Sequence, residues 1–157
     1  MTKPAFDAVL GRVPSGIFIL TLGTGARSTG MLASWVMQAG FEPASVTVAV
    51  KKDRYVADRL KNDEPFALNL VGTAHGALLK HFGKGFAPGE AAFEGVPTKL
   101  AATGVPLLDD CLGHLECEPT AHVESGDHLI VVARIVRGKL VGEGEPMVHI
   151  RKSGSHY

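Results

Sequence analysis

Ser125-Gly126-Asp127-His128-Leu129-Ile130-Val131-Val132-Ala133-Arg134-Ile135-Val136 reads as a tight turn that runs into a long strand of branched apolar residues. Gly126 supplies the backbone freedom of the turn, and Asp127 can bond to the local main chain. A run of strand character from His114 to Val123 precedes it, so the two predict a long β-hairpin joined by Ser125-Gly126-Asp127. Working outward, Ser45-Val46-Thr47-Val48-Ala49-Val50 alternates tightly. Gly16 to Thr21 and Phe66 to Val71 are apolar and rich in branched or aromatic residues. Shorter strands are predicted over Met31 to Met37 and Met147 to Ile150. Several strands at short spacing point to a closed antiparallel barrel rather than a parallel sheet.

Helical signals are fewer. Asp53 is placed to cap a helix through Lys61, with Val56 and Leu60 on its inner face, and a second helix is expected from about Ala74 to Phe82. Gly83 to Pro106 is rich in glycine, proline and alanine and reads as an irregular excursion anchored by Phe86 and Phe93. The expected class is therefore mainly β with short helices. At 157 residues and 45% hydrophobic, the chain suits one domain over 1–157.

Sixteen basic and sixteen acidic residues cancel, which leaves no global field to recruit nucleic acid or an anionic membrane. No apolar run approaches the ~18 residues of a membrane span, and the expectation is a soluble, unexported, cytoplasmic protein. Cys111 and Cys117 are read as reduced core thiols. The seven histidines lack the i, i+4 spacing of a helical zinc site, so no metal is expected. Glycine signatures for nucleotide phosphates are absent: Gly23-Thr24-Gly25 is a hairpin turn, and no helix follows it. There is no Gly-x-Ser-x-Gly elbow to support hydrolase chemistry.

The remaining chemistry is concentrated in Gly30-Met31-Leu32-Ala33-Ser34-Trp35 and in Lys51-Lys52-Asp53-Arg54. Small residues allow a flat ring to approach the main chain, Ser34 can donate to an anionic oxygen, and the cations can neutralise phosphate. The basic cluster ends a strand and opens a helix, where unpaired amides favour anions. His128, at the start of an apolar strand, is placed to lean into such a site. Trp35 reads either as a core or interface aromatic or as a contact to the ring.

This constellation resembles the flavin reductase-like domains with an FMN-binding split barrel. The segments that carry it are GRVPSGIFILT, GMLASW, FEPASVTVAVKKDR, FALNLV, LLKHFGKGF, the Phe93-Glu94-Gly95-Val96 turn, LGHLECE, SGDHLIVVARIV and VHIRKSGSHY. Within the family the chain looks closest to the C-terminal flavin reductase domain of cyanobacterial flavodiiron proteins, as a stand-alone relative or an excised domain. The resemblance implies a Greek-key antiparallel split barrel, a homodimer, and one flavin per subunit, FMN with FAD possible. It implies that the phosphate is held by residues matching Met31, Leu32, Ala33, Ser34 and Trp35 and by Lys51, Lys52, Asp53 and Arg54. Asn69, Phe82, Gly83, Lys84 and His128 would line the rest, His128 over the reacting face. The implied activity is electron transfer from NADH or NADPH to flavin and onward to an acceptor. The rival implication is a non-enzymatic FMN module serving a redox protein partner.

Overall fold

Strand and helix formation follows the apolar pattern closely in the computed structural model, which describes residues 2–157. Three short α-helices, α1 (Phe6–Gly11), α2 (Tyr55–Lys61) and α3 (Gly76–Gly83), accompany eleven strands, and a 3-10 turn at Gly25–Arg27 follows the Gly23-Thr24 turn where no helix was expected. The strands are β1 (Ser15–Gly16), β2 (Phe18–Leu22), β3 (Thr29–Ala33), β4 (Val36–Phe41), β5 (Ala44–Lys51), β6 (Phe66–Leu70), β7 (Thr98–Leu100), β8 (Pro106–Leu108), β9 (Gly113–Ser125), β10 (His128–Leu140) and β11 (Val148–His149). Seven of them form one antiparallel ladder in the order β3-β2-β6-β9-β10-β5-β4, and β1 pairs β11 while β7 pairs β8.

The long hairpin is the spine of this ladder. Its β9 half pairs β6 only over Gly113–Cys117, and its β10 half pairs β5 only over His128–Arg134. Those two stretches lie at opposite ends of the hairpin, because Gly113 faces Leu140 and Ser125 faces His128. The sheets on either side are thus strongly staggered, which is what splits the barrel.

Closure is covalent where it is not hydrogen-bonded. The outermost strands, β3 and β4, are successive in the chain and separated only by Ser34 and Trp35. Seven flat strands would put their outer members roughly 29 Å apart at ~4.8 Å spacing. The three-residue step from Ala33 to Val36 spans at most about 11 Å, so the sheet must curl until its edges approach. The expectation of a closed barrel is corrected here: β3 and β4 do not pair with each other, and a seam remains between them.

Two cores result. Leu20, Leu22, Val46, Val48, Val50, Leu68, Leu129 and Val131 fill the interior of the curl, plugged by Val56 and Leu60 of α2. Ile17, Ile19 and Val71 pack outward against Leu78 and Phe82 of α3. Because β2 is buried on both faces, it reads as continuously apolar rather than alternating.

Several sequence expectations need correction. The strand predicted from Met31 to Met37 breaks into β3 and β4 at Ser34-Trp35. α1 was not expected, because Phe6, Val9 and Leu10 are exposed and leave no inward-facing pattern. The excursion after Gly83 contains β7 and β8, each three residues long and too short to register. Asp53 does not cap α2: the capping position is Arg54, and its side chain makes no cap bond. Cys111 and Cys117 are free and buried. Among the described residues no helix is long and apolar enough to cross a membrane.

Candidate functional site

Two adjoining cavities lie at the seam. The smaller, about 280 Å³, has Met31, Leu32, Ala33 and Ser34 along one wall. Ile17, Leu79 and Phe82 give it an apolar floor, and Gly83, Lys51 and Arg54 stand at its charged end. The larger, about 670 Å³, is lined by Trp35, His128, Ile130, Arg151 and others. Ala49, Lys51 and Tyr157 line both. The larger falls within, and the smaller just below, the roughly 300–1,000 Å³ of pockets that take small molecules and cofactors.

Each side chain arrives by a separate route. β3 ends at Ala33, so the chain crossing the seam presents Ser34 and Trp35; the Trp35 carbonyl accepts the Ala49 amide at 3.0 Å and ties the crossing to β5. Lys51 ends β5 directly opposite His128, which begins β10, and this pairing sets a cation beside an imidazole. Arg54 follows the turn and reaches back towards the loop after α3. A side-chain carbon on Gly85 would sit 2.6 Å from the Arg54 guanidinium, and the φ of +74° at Gly85 is what favours glycine there.

His128 is fixed at both nitrogens. Its Nδ1 lies 2.8 Å from Asp127 Oδ1 and its Nε2 meets the Tyr157 hydroxyl. A carboxylate only accepts, so Nδ1 carries the hydrogen, and in the neutral ring Nε2 accepts from the phenol. That bond to His128 holds the Asp127 carboxyl below the usual carboxylate range. Partial burial pushes the Tyr157 phenol up, so it remains a donor. The Trp35 ring lies 4.7 Å from the His128 ring and 5.1 Å from that of Tyr157, with the Arg151 guanidinium 5.2 Å away on the indole.

The structure gathers Met31, Leu32, Ala33, Ser34, Lys51, Arg54, Phe82 and Gly83 around the smaller cavity, and Trp35 and His128 around the larger. Four expected residues lie elsewhere. Asn69 is wholly buried, donating to the Ile19 carbonyl at 2.9 Å and accepting from the Leu108 amide at 2.9 Å. Its polar atoms are committed to the interior and cannot reach a ligand. Lys52 turns to Glu124 at 3.7 Å, Asp53 sits 3.8 Å from Lys51, and Lys84 lies over the Phe86 ring. Gly30 makes room for Phe82 rather than for a ligand.

Tyr157, Arg151 and His149 went unassigned, although they lie in the VHIRKSGSHY segment. His149 lies in the strand expected over Met147 to Ile150, whereas Arg151 and Tyr157 follow it in a run of charged and small residues with no strand or helix period, which gives no direction in space. Among the described residues no three metal-ligating side chains converge.

The arrangement can hold a planar, largely apolar ring against main chain, with an anionic tail at Lys51 and Arg54. A second planar group fits beside Trp35 and His128. The family profile described as "Flavin reductase like domain" matches residues 10–155. Among curated relatives, Diflavin flavoprotein A 1 of Synechocystis sp. is 40% identical over 153 residues, 96% of this chain and 27% of its own length. Putative diflavin flavoprotein A 3 of the same organism is 42% identical over 152 residues, 96% of this chain and 26% of that protein. The chain therefore spans about a quarter of the length of the curated relatives it matches. Of solved structures, the NADH:FAD oxidoreductase SgcE6 of Streptomyces globisporus superposes with a TM-score of 0.84 at 27% identity, covering 91% of this chain and 85% of that one. The styrene monooxygenase flavin reductase of Pseudomonas putida S12, at 22% identity and TM-score 0.79 over 94% and 93% of the two chains, shares the fold.

Proposed function

Because this chain belongs to the flavin reductase-like domain family, we propose that it is a flavin-dependent oxidoreductase that takes electrons from NADH or NADPH onto FMN or FAD and passes them to an acceptor. The observation that carries the reading is the seam cavity, with its apolar floor, its wall of small residues and the two cations at one end. The donor set fits the group: an apolar slot suits the ring, and an ammonium beside a guanidinium suits a phosphate. The chain's similarity to an NADH:FAD oxidoreductase supports the nicotinamide as donor.

When bound, the flavin supplies the hydride-accepting centre of the reaction. Lys51 and Arg54 would hold the phosphate. Met31 to Ser34, Phe82 and Gly83 would line the slot for the ring. Trp35 and His128 would form the surface that orients the nicotinamide. His128 acts by position, since Asp127 holds its Nδ1, and an orienting contact of this kind accelerates hydride transfer without moving a proton.

Replacing Lys51 and Arg54 together by alanine is expected to weaken FMN binding at least tenfold more than riboflavin binding, since each charge-assisted contact is worth roughly 1.5–3 kcal/mol. Lys52→Ala serves as the neutral control. Titration of each ligand by fluorescence quenching decides it, and equal weakening of both would place the phosphate elsewhere.

A second reading is an electron-transfer module within or beside a larger flavoprotein, as the C-terminal domain of a flavodiiron-type chain would be; the length of the diflavin relatives favours it. A bound flavin that neither nicotinamide nucleotide reduces would select this reading. A single domain over 1–157 and a homodimer complete the proposal. Phe41, 92% exposed on edge strand β4, is the kind of side chain that a second subunit would cover. The two free buried thiols fit a cytoplasmic setting.

A further inference from the structure

Asp7 lies outside both cavities yet is only 5% exposed. Its Oδ1 accepts the hydroxyls of Ser155 at 2.5 Å and Ser153 at 3.1 Å, and Lys3 Nζ stands 3.8 Å from Oδ2. Three main-chain carbonyls of the same helix, α1, hold the same segment. That of Asp7 accepts the Gly154 amide at 2.8 Å, that of Gly11 the Arg151 amide at 2.7 Å, and that of Leu10 the Arg151 guanidinium at 3.2 Å. Main chain rests on main chain here: a side-chain carbon on Gly11 would come within 2.8 Å of the Ser153 nitrogen, and one on Gly154 within 2.5 Å of the Leu10 Cβ. Six residues beyond Arg151 the segment delivers Tyr157 into the passage between the cavities, against His128 and Trp35. Tyr157 is itself 55% exposed, so burial alone does not hold it. The anchorage on α1 and the bond to His128 do.

We propose that residues 151–157 form a strap that closes the passage between the two cavities, with Tyr157 as the side chain that bars it and Asp7 as the positioning residue that keeps the strap shut. The inference rests on the flavin-site reading, and the ligand whose entry the strap controls is the nicotinamide dinucleotide. Tyr157 borders both cavities together with Ala49 and Lys51, and it is the largest of the three side chains, so a planar ring passing from the larger cavity to the smaller meets the phenol there. Releasing the strap at Asp7, on a helix with no part in either cavity, then speeds entry without touching the flavin.

Trp35 is the only tryptophan in the chain, and it lies against Arg151, His128 and Tyr157, so its emission reports the strap directly. Asp7→Asn and Tyr157→Ala are compared with the wild type, first without flavin and then loaded with FMN. Both variants are expected to shift Trp35 emission to the red and raise its intensity. Both should increase the second-order rate constant for reduction of bound FMN by NADH at least fivefold, and Asp7→Asn, which lies outside both cavities, should leave FMN affinity within twofold. Tyr157→Ala leaves the α1 anchorage intact, so it remains decisive if Asp7→Asn fails to fold. Unchanged emission, or a rate constant that is unchanged or lower in a variant that binds FMN normally, overturns the strap alone. A wild-type chain that takes up no FMN overturns the flavin reading and this inference with it.

Discussion

Asn69 and His114 between them satisfy the main chain of a single residue: the Leu108 amide donates to Asn69 Oδ1 at 2.9 Å, and the Leu108 carbonyl accepts from His114 Nε2 at 2.7 Å. β8 is pinned to the ladder by these two bonds. Asn69→Ala leaves a buried amide unpaired and is expected to cost roughly 1–3 kcal/mol; urea unfolding measures it, and FMN affinity should stay within twofold. The family resemblance implied a ligand for Asn69, and nothing in the sequence pointed instead to its partner, a main-chain group 39 positions away that carries no side-chain signal. By contrast Met31 to Ser34, Lys51 and Arg54, which line the smaller cavity, stand out in the sequence, because small residues and clustered charge announce themselves locally. The cysteines were legible as buried. Desolvation pushes the Cys117 thiol up to about 12, so a disulfide exchange reagent at pH 8 should leave it unmodified in the native protein and label it only on unfolding, as read by mass.

Among the elements, α2 is held by more than its apolar face. Arg59, 11% exposed at its side chain, pairs with Glu64 through two nitrogens at 2.7 and 2.8 Å and donates to the Arg27 carbonyl at 2.8 Å. This joins the end of α2 to the turn before β3. The Arg59 hydrogen bonds hold the Glu64 carboxyl below its ordinary value. A carboxyl whose folded value is depressed contributes stability that is complete above its unfolded value and disappears as pH falls through the folded one. Glu64→Gln is therefore expected to lose roughly 0.5–1.5 kcal/mol near neutrality, with the gap to wild type closing in strong acid. Urea midpoints across that pH range check it. β5 and β6 were legible to within a residue or two because their inward positions are apolar. The hairpin ran further than expected, chiefly over Arg137–Leu140 at the end of β10, which is exposed and has no burial pattern to betray it. Asp7 and its strap were invisible for the same reason that separates Asn69 from Leu108: the contact spans 146 to 148 positions.

For the molecule as a whole, antiparallel β architecture was legible from strand spacing, while the seam was not, because strand order is a property of long-range pairing and leaves no local mark. The site exists where β3 and β4, at opposite margins of one sheet, are joined by Ser34 and Trp35. Inserting three glycines between them is expected to leave the melting temperature within a few degrees, since lengthening a connection adds well under about 1 kcal/mol of closure entropy. FMN affinity should nevertheless fall at least tenfold, a combination that calorimetry and ligand titration can separate. Two residues at the surface of a protein ordinarily make the segment most forgiving of added length. Here the same two act as a ruler: they fix the gap between β3 and β4 on which the proposed flavin site depends, and the link that most resembles a loop is the one whose length the chain can least afford to vary.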